Sequence, residues 1–122
     1  MLNLKDSALL RQHCYIDGQW LGADQGETIA VSNPATGEII GTIPKMGAAE
    51  TRRAIAAADA ALPGWRKMTA AERGKLLRRW SELMLAHQDD LALIMTAEQG
   101  KPLAESKGEI AYAASYLEWF AE

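Results

Sequence analysis

The hydrophobic and polar positions of the first 45 residues follow the pattern of short strands separated by turns. β-favouring residues flank Asp17-Gly18, and such a pair suits the positive φ angles of a two-residue type I′ turn. We therefore predict a hairpin centred on this pair. Two further strands are predicted over residues 28–32 and 38–43, because Pro34 and Gly37 favour a turn between them.

From residue 46 onward the apolar positions recur at the three- and four-residue spacing of helices. A first helix is predicted over residues 48–62, with Pro63-Gly64 ending it. Thr69-Ala70-Ala71-Glu72 is a capping box that opens a second helix, because its hydroxyl and carboxylate satisfy free backbone N–H groups. That helix is expected to carry five apolar side chains on one face: Leu76, Leu77, Trp80, Leu83 and Met84.

Two more helices are predicted in the remaining sequence. One runs from about Asp89, whose charge suits a helix N-terminus, to Gly100 just past its C-terminus. Pro102 is expected to be the first residue of the last helix, which bears Ile110, Ala114, Leu117 and Phe120. Taken as an isolated segment, the chain is thus predicted to have an α+β fold, with strands and turns over 1–45 and about four helices over 46–122.

The last helix carries more apolar side chains than one face can hold, because Tyr112, Tyr116, Trp119 and Phe120 add to its apolar stripe. Such a helix packs against partners on several sides. Its apolar pattern also continues to the last residues without a capping Gly, Asn or Pro. We interpret the sequence as truncated at its C-terminus, and the alternative is a terminal helix that frays without a cap.

Composition and charge exclude several classes of function. Thirteen Lys and Arg against sixteen Asp and Glu give a net charge of −3, so no basic surface is expected for nucleic acid or an anionic membrane. The longest apolar run, residues 91–95, is too short to span a bilayer, and the N-terminal residues do not resemble a signal peptide. With 48% hydrophobic residues and a single cysteine, Cys14, the sequence predicts a globular protein of the reducing cytoplasm.

The residues that could carry chemistry do not form a recognisable site. No glycine-rich stretch has the spacing of a phosphate-binding loop. His13 and His87 lack the spacing of a metal site, and Cys14 is interpreted as a small apolar residue, not as a nucleophile. The side chains of Asp89 and Asp90 point about 100° apart on a helix, so they are interpreted as stabilising its N-terminus.

The aromatic residues and the arginine pairs are assigned structural roles. We interpret six aromatic side chains as helix-packing core, in preference to a ligand platform: Trp65, Trp80, Tyr112, Tyr116, Trp119 and Phe120. Met84, Leu91 and Met95 are assigned to the same core. Arg52-Arg53 and Arg78-Arg79 are interpreted as solvated helix flanks because acidic residues lie nearby.

Four stretches, covering together about residues 12–122, resemble the N-terminal part of the NAD(P)-dependent aldehyde dehydrogenases. They are YIDGQW from Tyr15, SNPATGE from Ser32, PKMGAAETRRAIAAADAALPGW from Pro44, and AEQGKPLAESKGEIAYAASYLEWFAE from Ala97. Within that family, MTAEQGKPLAESKGEI and YAASYLEWFAE are most similar to the bacterial, NADP-preferring succinate-semialdehyde dehydrogenases, a group that includes glutarate-semialdehyde enzymes.

The resemblance implies a Rossmann-type α/β enzyme that oxidises succinate semialdehyde, or a related semialdehyde, with NADP or NAD in 4-aminobutyrate degradation. A cysteine beyond residue 122 would form the thioester, and the catalytic and cofactor-binding residues would all lie outside residues 1–122. This segment would be the N-terminal portion of the nucleotide-binding domain. It would be a scaffold that covers one side of the sheet and helps to frame the mouth of the substrate tunnel.

The partners that the resemblance implies are the remainder of the dehydrogenase chain and further copies in a dimer or tetramer. Two other classes of function stay open. The chain could be a complete small helical interaction module that docks through the aromatic end of its last helix. It could also be a non-enzymatic small-molecule binding domain, which would need an apolar pocket with converging polar groups.

Glu98 is the one acidic residue whose predicted position opposes the local electrostatics. It lies in the last turn of a helix, where free carbonyl groups carry partial negative charge. Lys101 is the simplest compensating charge. The resemblance suggests a second possibility, in which a structural monovalent cation is bound by Glu98 and by a backbone carbonyl of the Ser32 region. Such a site requires Ser32 and Glu98 to be close in space.

Overall fold

The computed structural model describes residues 2–122, in which two antiparallel strand pairs precede four helices. A short 3-10 turn, Ser7–Leu9, lies before the first strand. The strands are β1 (Cys14–Ile16), β2 (Gln19–Leu21), β3 (Thr28–Ser32) and β4 (Ile39–Pro44). The helices are α1 (Ala48–Lys67), α2 (Ala70–Ala86), α3 (Gln88–Gln99) and α4 (Leu103–Ala121). The α+β prediction is confirmed.

Both strand pairs are joined by the turns that the sequence predicts. β1 pairs with β2 around Asp17 and Gly18, whose φ angles of 50° and 75° are those of a type I′ turn. β3 pairs with β4, and Gly37 has the positive φ (76°) that the connecting turn requires. The two pairs are separate two-stranded sheets, so each leaves its strand edges free.

The ends of α2 and α3 follow the predicted capping signals. The Glu72 N–H donates to the Thr69 hydroxyl (3.2 Å), and the Thr69 N–H donates to the Glu72 carboxylate (2.7 Å), which completes the capping box. Gly100 adopts a left-handed conformation (φ 87°) and ends α3 by donating its N–H to the Thr96 carbonyl. α4 begins at Leu103, one residue later than predicted, with Pro102 preceding it.

The prediction that Pro63-Gly64 ends α1 is wrong, because the helix continues to Lys67. Proline removes one backbone hydrogen bond. Since residues 58–67 are all exposed, water can solvate the carbonyl that Pro63 leaves free. The helix ends instead where Met68 and Thr69 become extended (ψ 146° and 158°) to form the next cap.

The buried core is small and lies between α4 and the helices α2 and α3. Its hydrophobic members are Ala92, Ala97, Ile110 and Ala114. Two buried hydroxyls find partners within it: Ser81 donates to the Ala114 carbonyl (2.9 Å), and Ser106 bonds with Thr96 (2.8 Å). Ser106 is the largest side chain of residues 2–122 that is fully buried, so the helices approach closely but bury little apolar volume.

The predicted apolar face of α2 is divided in the structure. Gly74 and Ser81 are buried against α4, and Leu77 and Met84, three residues after them, are half-buried. The other three predicted members are exposed: Leu76, Trp80 and Leu83. Small residues allow the two helix backbones to approach, so the contact follows Gly74 and Ser81 instead of the largest apolar side chains.

The prediction that the aromatic residues form the core is wrong for this chain. Each of the four tryptophans is at least 38% exposed, and Tyr112, Tyr116 and Phe120 are exposed as well. The buried positions of α2, α3 and α4 are instead mostly Ala, Ser and Gly, with Ile110 as the largest apolar residue among them. Met84, Leu91 and Met95 are half-buried, in agreement with a structural role.

Candidate functional site

An uncovered apolar surface lies along α4, on the side opposite its core contacts. Residues of a helix are rotated by about 100° from one to the next, which places Tyr112, Tyr116 and Trp119 on one side and the buried Ile110 and Ala114 on the other. The three aromatic residues are 64%, 51% and 75% exposed. α4 therefore has two apolar faces, of which the chain covers one. We call the uncovered one the aromatic face.

The aromatic face is ordered by contacts among its own side chains. The rings of Tyr112 and Tyr116 meet edge to face, with centroids 5.0 Å apart, and their hydroxyls lie 2.7 Å from one another. The hydrogen bond to Tyr112, with a smaller contribution from burial, raises the pKa of Tyr116. A groove of about 580 Å³ runs along the face and is lined by Tyr112, Ser115, Tyr116, Glu118, Trp119, Phe120 and Glu122.

The aromatic face is part of a more general exposure of apolar side chains. Leu76, Trp80 and Leu83 form a stripe at helical spacing on α2 and are 53%, 59% and 39% exposed. Ile55 and Leu62 on α1 are likewise exposed. Scattered exposed hydrophobic residues are ordinary on a protein surface, but stripes at helical spacing on α2 and α4 are typical of docking surfaces.

The groups that could act in catalysis are dispersed over the fold. Cys14 is a free, half-buried thiol in β1, and His87 lies at the junction of α2 and α3. Within residues 2–122, no three His, Cys, Asp or Glu side chains come together as a metal site. The polar side-chain groups of the aromatic groove are the hydroxyls of Tyr112, Ser115 and Tyr116 and the carboxylates of Glu118 and Glu122. Both carboxylates lie near Arg78.

The structure brings the two ends of the predicted cation site into the same region without defining the site. Ser32 is the last residue of β3, which contacts α3, and Glu98 is exposed in the last turn of α3. The turn after β3 lies against the end of α3, since a Cβ on Gly100 would be 2.9 Å from Cγ of Pro34. Lys101, the simpler compensating charge, forms its ion pair with Glu109. The shared cation remains a prediction.

Asp89 and Asp90 have a role that their position on the helix did not reveal. Asp90 is only 3% exposed and accepts hydrogen bonds from two backbone N–H groups of the N-terminal segment, those of Lys5 and Asp6. Asp89 forms ion pairs with Lys107 and Lys5, and these lower its pKa to about 2. A pattern of adjacent acids signals a helix N-terminus, but gives no indication that a distant segment binds there.

None of the helices formed by residues 2–122 combines the length and the apolar character that crossing a bilayer demands.

Comparison with known proteins finds a match over most of the chain. The model of the Aldehyde dehydrogenase family matches residues 20–122. The chain is 70% identical over 121 residues to a glutarate-semialdehyde dehydrogenase of Pseudomonas putida, covering 99% of this chain and 25% of that protein. It is 62% identical over 121 residues to the NADP(+)-dependent succinate-semialdehyde dehydrogenase of Escherichia coli, with the same coverage of each chain.

The fold agrees with these similarities. The chain superposes on the crystal structure of succinate-semialdehyde dehydrogenase from Burkholderia pseudomallei with a TM-score of 0.95 and 64% identity. The alignment covers 98% of this chain and 25% of that one, and this chain corresponds to the N-terminal part. The chain therefore spans about a quarter of the length of the relatives it matches.

Proposed function

Because this chain belongs to the aldehyde dehydrogenase family, we propose that it is the N-terminal portion of the nucleotide-binding domain of a semialdehyde dehydrogenase. The enzyme would oxidise succinate semialdehyde or glutarate semialdehyde to the acid. The similarity to the semialdehyde dehydrogenases supports the reaction, and the second apolar face of α4, formed by Tyr112, Tyr116 and Trp119, supports a segment that docks on a larger body. A helix with two apolar faces is built to be buried on both sides.

In the proposed enzyme this segment contributes scaffold and not reacting groups. NADP or NAD, when bound, would supply the acceptor for the hydride that leaves the aldehyde carbon. The thiol nucleophile of that reaction needs a positively polarised pocket and a nearby base. Cys14 lies in a short strand of a hairpin whose residues Tyr15 and Trp20 are exposed, which does not provide such a pocket. We assign the nucleophile to residues outside this segment.

The extent of apolar exposure supports docking onto a larger body. Covering one Leu, Ile or aromatic side chain contributes about 1.5–3 kcal/mol. Uncovered side chains of this size occur on β1 to β4 and on α1, α2 and α4. The core, by contrast, consists largely of Ala and Ser. These exposed stripes would bury against the remainder of the dehydrogenase chain, or against further copies in a dimer or tetramer. The low cysteine content of this segment, with Cys14 alone, supports a cytoplasmic location for the proposed enzyme.

A chimera tests the proposal. The segment of the Pseudomonas putida relative that aligns with this chain would be replaced by these 122 residues. We expect a soluble enzyme that reduces NAD(P) with both semialdehydes, at a kcat/KM within about tenfold of the intact relative. Trp119→Glu in the chimera should abolish soluble activity, because a charge would be buried at the docking face. Gln25→Ser, in an exposed turn before β3 and away from the helix stripes, is the control and should leave activity unchanged.

Two results would contradict the proposal. One is a folded chimera without activity, and the other is full activity in the Trp119→Glu chimera. If the 122-residue chain alone were a monodisperse monomer with a sharp cooperative melt, it would be an independent interaction module instead.

We also propose that the end of α3 and the turn after β3 share a structural monovalent cation through Glu98 and a carbonyl of the Ser32 region. The support is the contact of Pro34 with Gly100, the exposed carboxylate of Glu98, and the engagement of Lys101 by Glu109. Hard oxygen ligands suit such a cation. The chimera should melt at a higher temperature in sodium or potassium chloride than in choline chloride of equal ionic strength. Glu98→Gln should remove that difference, and an equal melting temperature in all three salts would refute the site.

A further inference from the structure

The N-terminal segment crosses from the helices to the second strand pair and is bonded at both ends. We infer that residues 5–12 act as a strap that ties the β3–β4 pair to α3, with Asp90 as its anchor. The strap is a property of these 122 residues and does not depend on the proposed dehydrogenase function.

The Asp90 side chain holds one end of the strap by accepting hydrogen bonds from the strap backbone. The Lys5 N–H donates to Oδ1 (3.0 Å) and the Asp6 N–H donates to Oδ2 (2.8 Å), so each carboxylate oxygen holds one of two consecutive amides. A carboxylate that is 3% exposed must have such partners, because its desolvation is otherwise uncompensated. Bonds to the backbone are independent of the Lys5 side chain, so they fix the path of the chain.

The strap reaches the strands through one side chain. The Oε1 atom of Gln12 accepts the Thr42 N–H (2.8 Å) and lies 3.3 Å from the Thr42 hydroxyl, which also donates to it. Gly41 makes room for this amide, because a Cβ there would be 3.3 Å from the same oxygen. Between the two ends, the Asp6 carboxylate caps the turn Ser7–Leu9 by accepting the Ala8 N–H (3.0 Å). The turn Ser7–Leu9 thus joins the end of the strap that is bonded to Asp90 and the end that is bonded to Thr42.

The strap is needed because little else attaches these strands to the helices. No hydrophobic side chain of the buried core, as described for residues 2–122, comes from β1 to β4, apart from Pro44 at the end of β4. The strands otherwise meet α3 through the contact of β3 with that helix and the close approach of Pro34 to Gly100, and the loop before β3 is bonded to α1 through Asp24. The contacts with α3 lie near its C-terminal end. The strap adds an attachment of the strand pair at the opposite end of α3, at Asp90.

Asp89 provides a natural control for Asp90. Its ion pairs with Lys5 (3.0 Å) and Lys107 (2.7 Å) join exposed side chains, and such pairs contribute little to stability. Both acids lie in the first turn of α3, so their effects on the helix N-terminus are comparable. The difference between them is that only Asp90 holds the backbone of the strap.

Hydrogen exchange of backbone amides in the 122-residue chain tests the inference. Asp90→Asn keeps the shape of the side chain, but its NH₂ group cannot accept a hydrogen bond, so one of the two strap amides loses its partner. We expect the protection of the Lys5 and Asp6 amides to fall at least about tenfold, with a smaller loss at Thr42. Asp89→Asn should change the exchange protection of these amides by less than about threefold. The α2 and α4 amides report global stability in each variant.

A second variant tests the other end of the strap separately. Gln12→Ala removes an exposed side chain, which the helical core tolerates, and should expose the Thr42 amide while Lys5 and Asp6 stay protected. The strap is refuted if Asp90→Asn leaves both strap amides protected. It is equally refuted if Gln12→Ala leaves exchange at Thr42 unchanged, a result that counts whether or not Asp90→Asn folds.

Discussion

Gly74 and Gly108 show how the same residue type serves different purposes inside two packed helices. Gly74 lies in α2, where a Cβ would come 2.5 Å from the carbonyl oxygen of Ala121 in α4. Gly108 lies in α4, where nothing stands within 4 Å of such a Cβ. The absence of a side chain is therefore required at the first position, where two backbones meet, but only lowers helix propensity at the second.

The two glycines should respond oppositely to alanine. Gly→Ala in a helix interior contributes about 1 kcal/mol through propensity, whereas forced overpacking costs about 1–3 kcal/mol. We expect Gly74→Ala to lower the free energy of unfolding by about 1 kcal/mol net, because the last turn of α4 must move. Gly108→Ala should raise it by about 0.5–1 kcal/mol. Urea unfolding followed by circular dichroism measures both, and a stabilised Gly74→Ala variant would contradict the close approach.

At the scale of elements, each helix begins or ends on a specific backbone contact. The capping box fixes the start of α2 and also determines where α1 stops, since Met68 and Thr69 must be extended to form it. Hydrogen bonds from the Thr69 backbone N–H, and then from its hydroxyl, lower the pKa of Glu72. The carboxylate is therefore held ionised at neutral pH, where it satisfies the free N–H of the cap.

Removing the Thr69 cap should lower the free energy of unfolding more than removing a similar hydroxyl inside a helix. Thr69→Ala is expected to lower the free energy of unfolding by about 1 kcal/mol, because the Glu72 N–H loses its acceptor. The control is Thr51→Ala in α1, where the hydroxyl only donates to the Gly47 carbonyl four residues earlier. That change should be neutral or slightly stabilising, since alanine favours helix. If Thr69→Ala and Thr51→Ala lowered the stability equally in thermal or urea unfolding, that result would argue against the cap.

The strap should be released by acid. Hydrogen bonds from the N–H groups of Lys5 and then of Asp6 lower the pKa of Asp90. A carboxyl whose pKa is lower in the folded state stabilises that state above its unfolded value, about 3.9. That contribution is lost as the pH falls through the folded value. The charged and titratable groups around Asp90 are Lys5 and Asp6 on the strap, His87 and Asp89 beside it, and Lys107 on α4.

Nuclear magnetic resonance can follow this release. The amide chemical shift of Lys5, which donates to Oδ1 of Asp90, should titrate below about pH 4 in the wild-type chain. It should not show that step in Asp90→Asn. A titration centred on neutral pH, or one retained in the variant, would assign the release to another group.

At the scale of the whole molecule, the fold has well-formed elements around a thin core. α4 packs on α2 and α3, but the side chains buried there are mostly Ala and Ser. α1 is attached mainly at its first turns, through Glu50 bonded to the Asp24 N–H (3.2 Å) and Arg53 paired with the Asp24 carboxylate. The large apolar side chains face outward, so the 122 residues hold less hydrophobic stabilisation than their composition would allow.

The isolated chain should therefore behave as a protein with unburied docking surfaces. We expect it to bind a dye specific for exposed apolar surface and to melt broadly, because each uncovered large side chain forfeits about 1.5–3 kcal/mol. Replacing Trp80 and Trp119 by Gln should reduce dye binding without lowering the melting temperature, since both are more than half exposed. Ile110→Gln is the control and should unfold the chain, because Ile110 is buried.

The isolated chain should also be catalytically silent. Purified alone, it is expected neither to reduce NAD or NADP with succinate semialdehyde nor to bind either nucleotide tightly, because it has no spacing typical of a phosphate-binding loop. Absorbance at the wavelength of the reduced nicotinamide measures the first property and calorimetry the second. Aldehyde-dependent reduction that Cys14→Ala abolishes would overturn both this prediction and the assignment of the nucleophile elsewhere.

Local structure could be derived from the sequence because short-range interactions determine it. The Asp17-Gly18 turn, the capping box at Thr69 and the left-handed Gly100 each depend on residues within a few positions of one another. The resemblance of the SNPATGE and EQGKP stretches to the dehydrogenases is local in the same sense. These features predicted the element order and the family.

Only the tertiary structure decided which apolar residues are buried. Periodicity places Leu76, Leu77 and Trp80 near each other on α2, but the close approach of α4 at Gly74 and Ser81 selects the side that is covered. Likewise, Asp90 signals a helix N-terminus in the sequence, and only the fold brings Lys5 and Asp6 to it across 84 or more residues. Helical spacing defines which residues share a face. Which face meets a partner depends on contacts between segments that are distant in the chain.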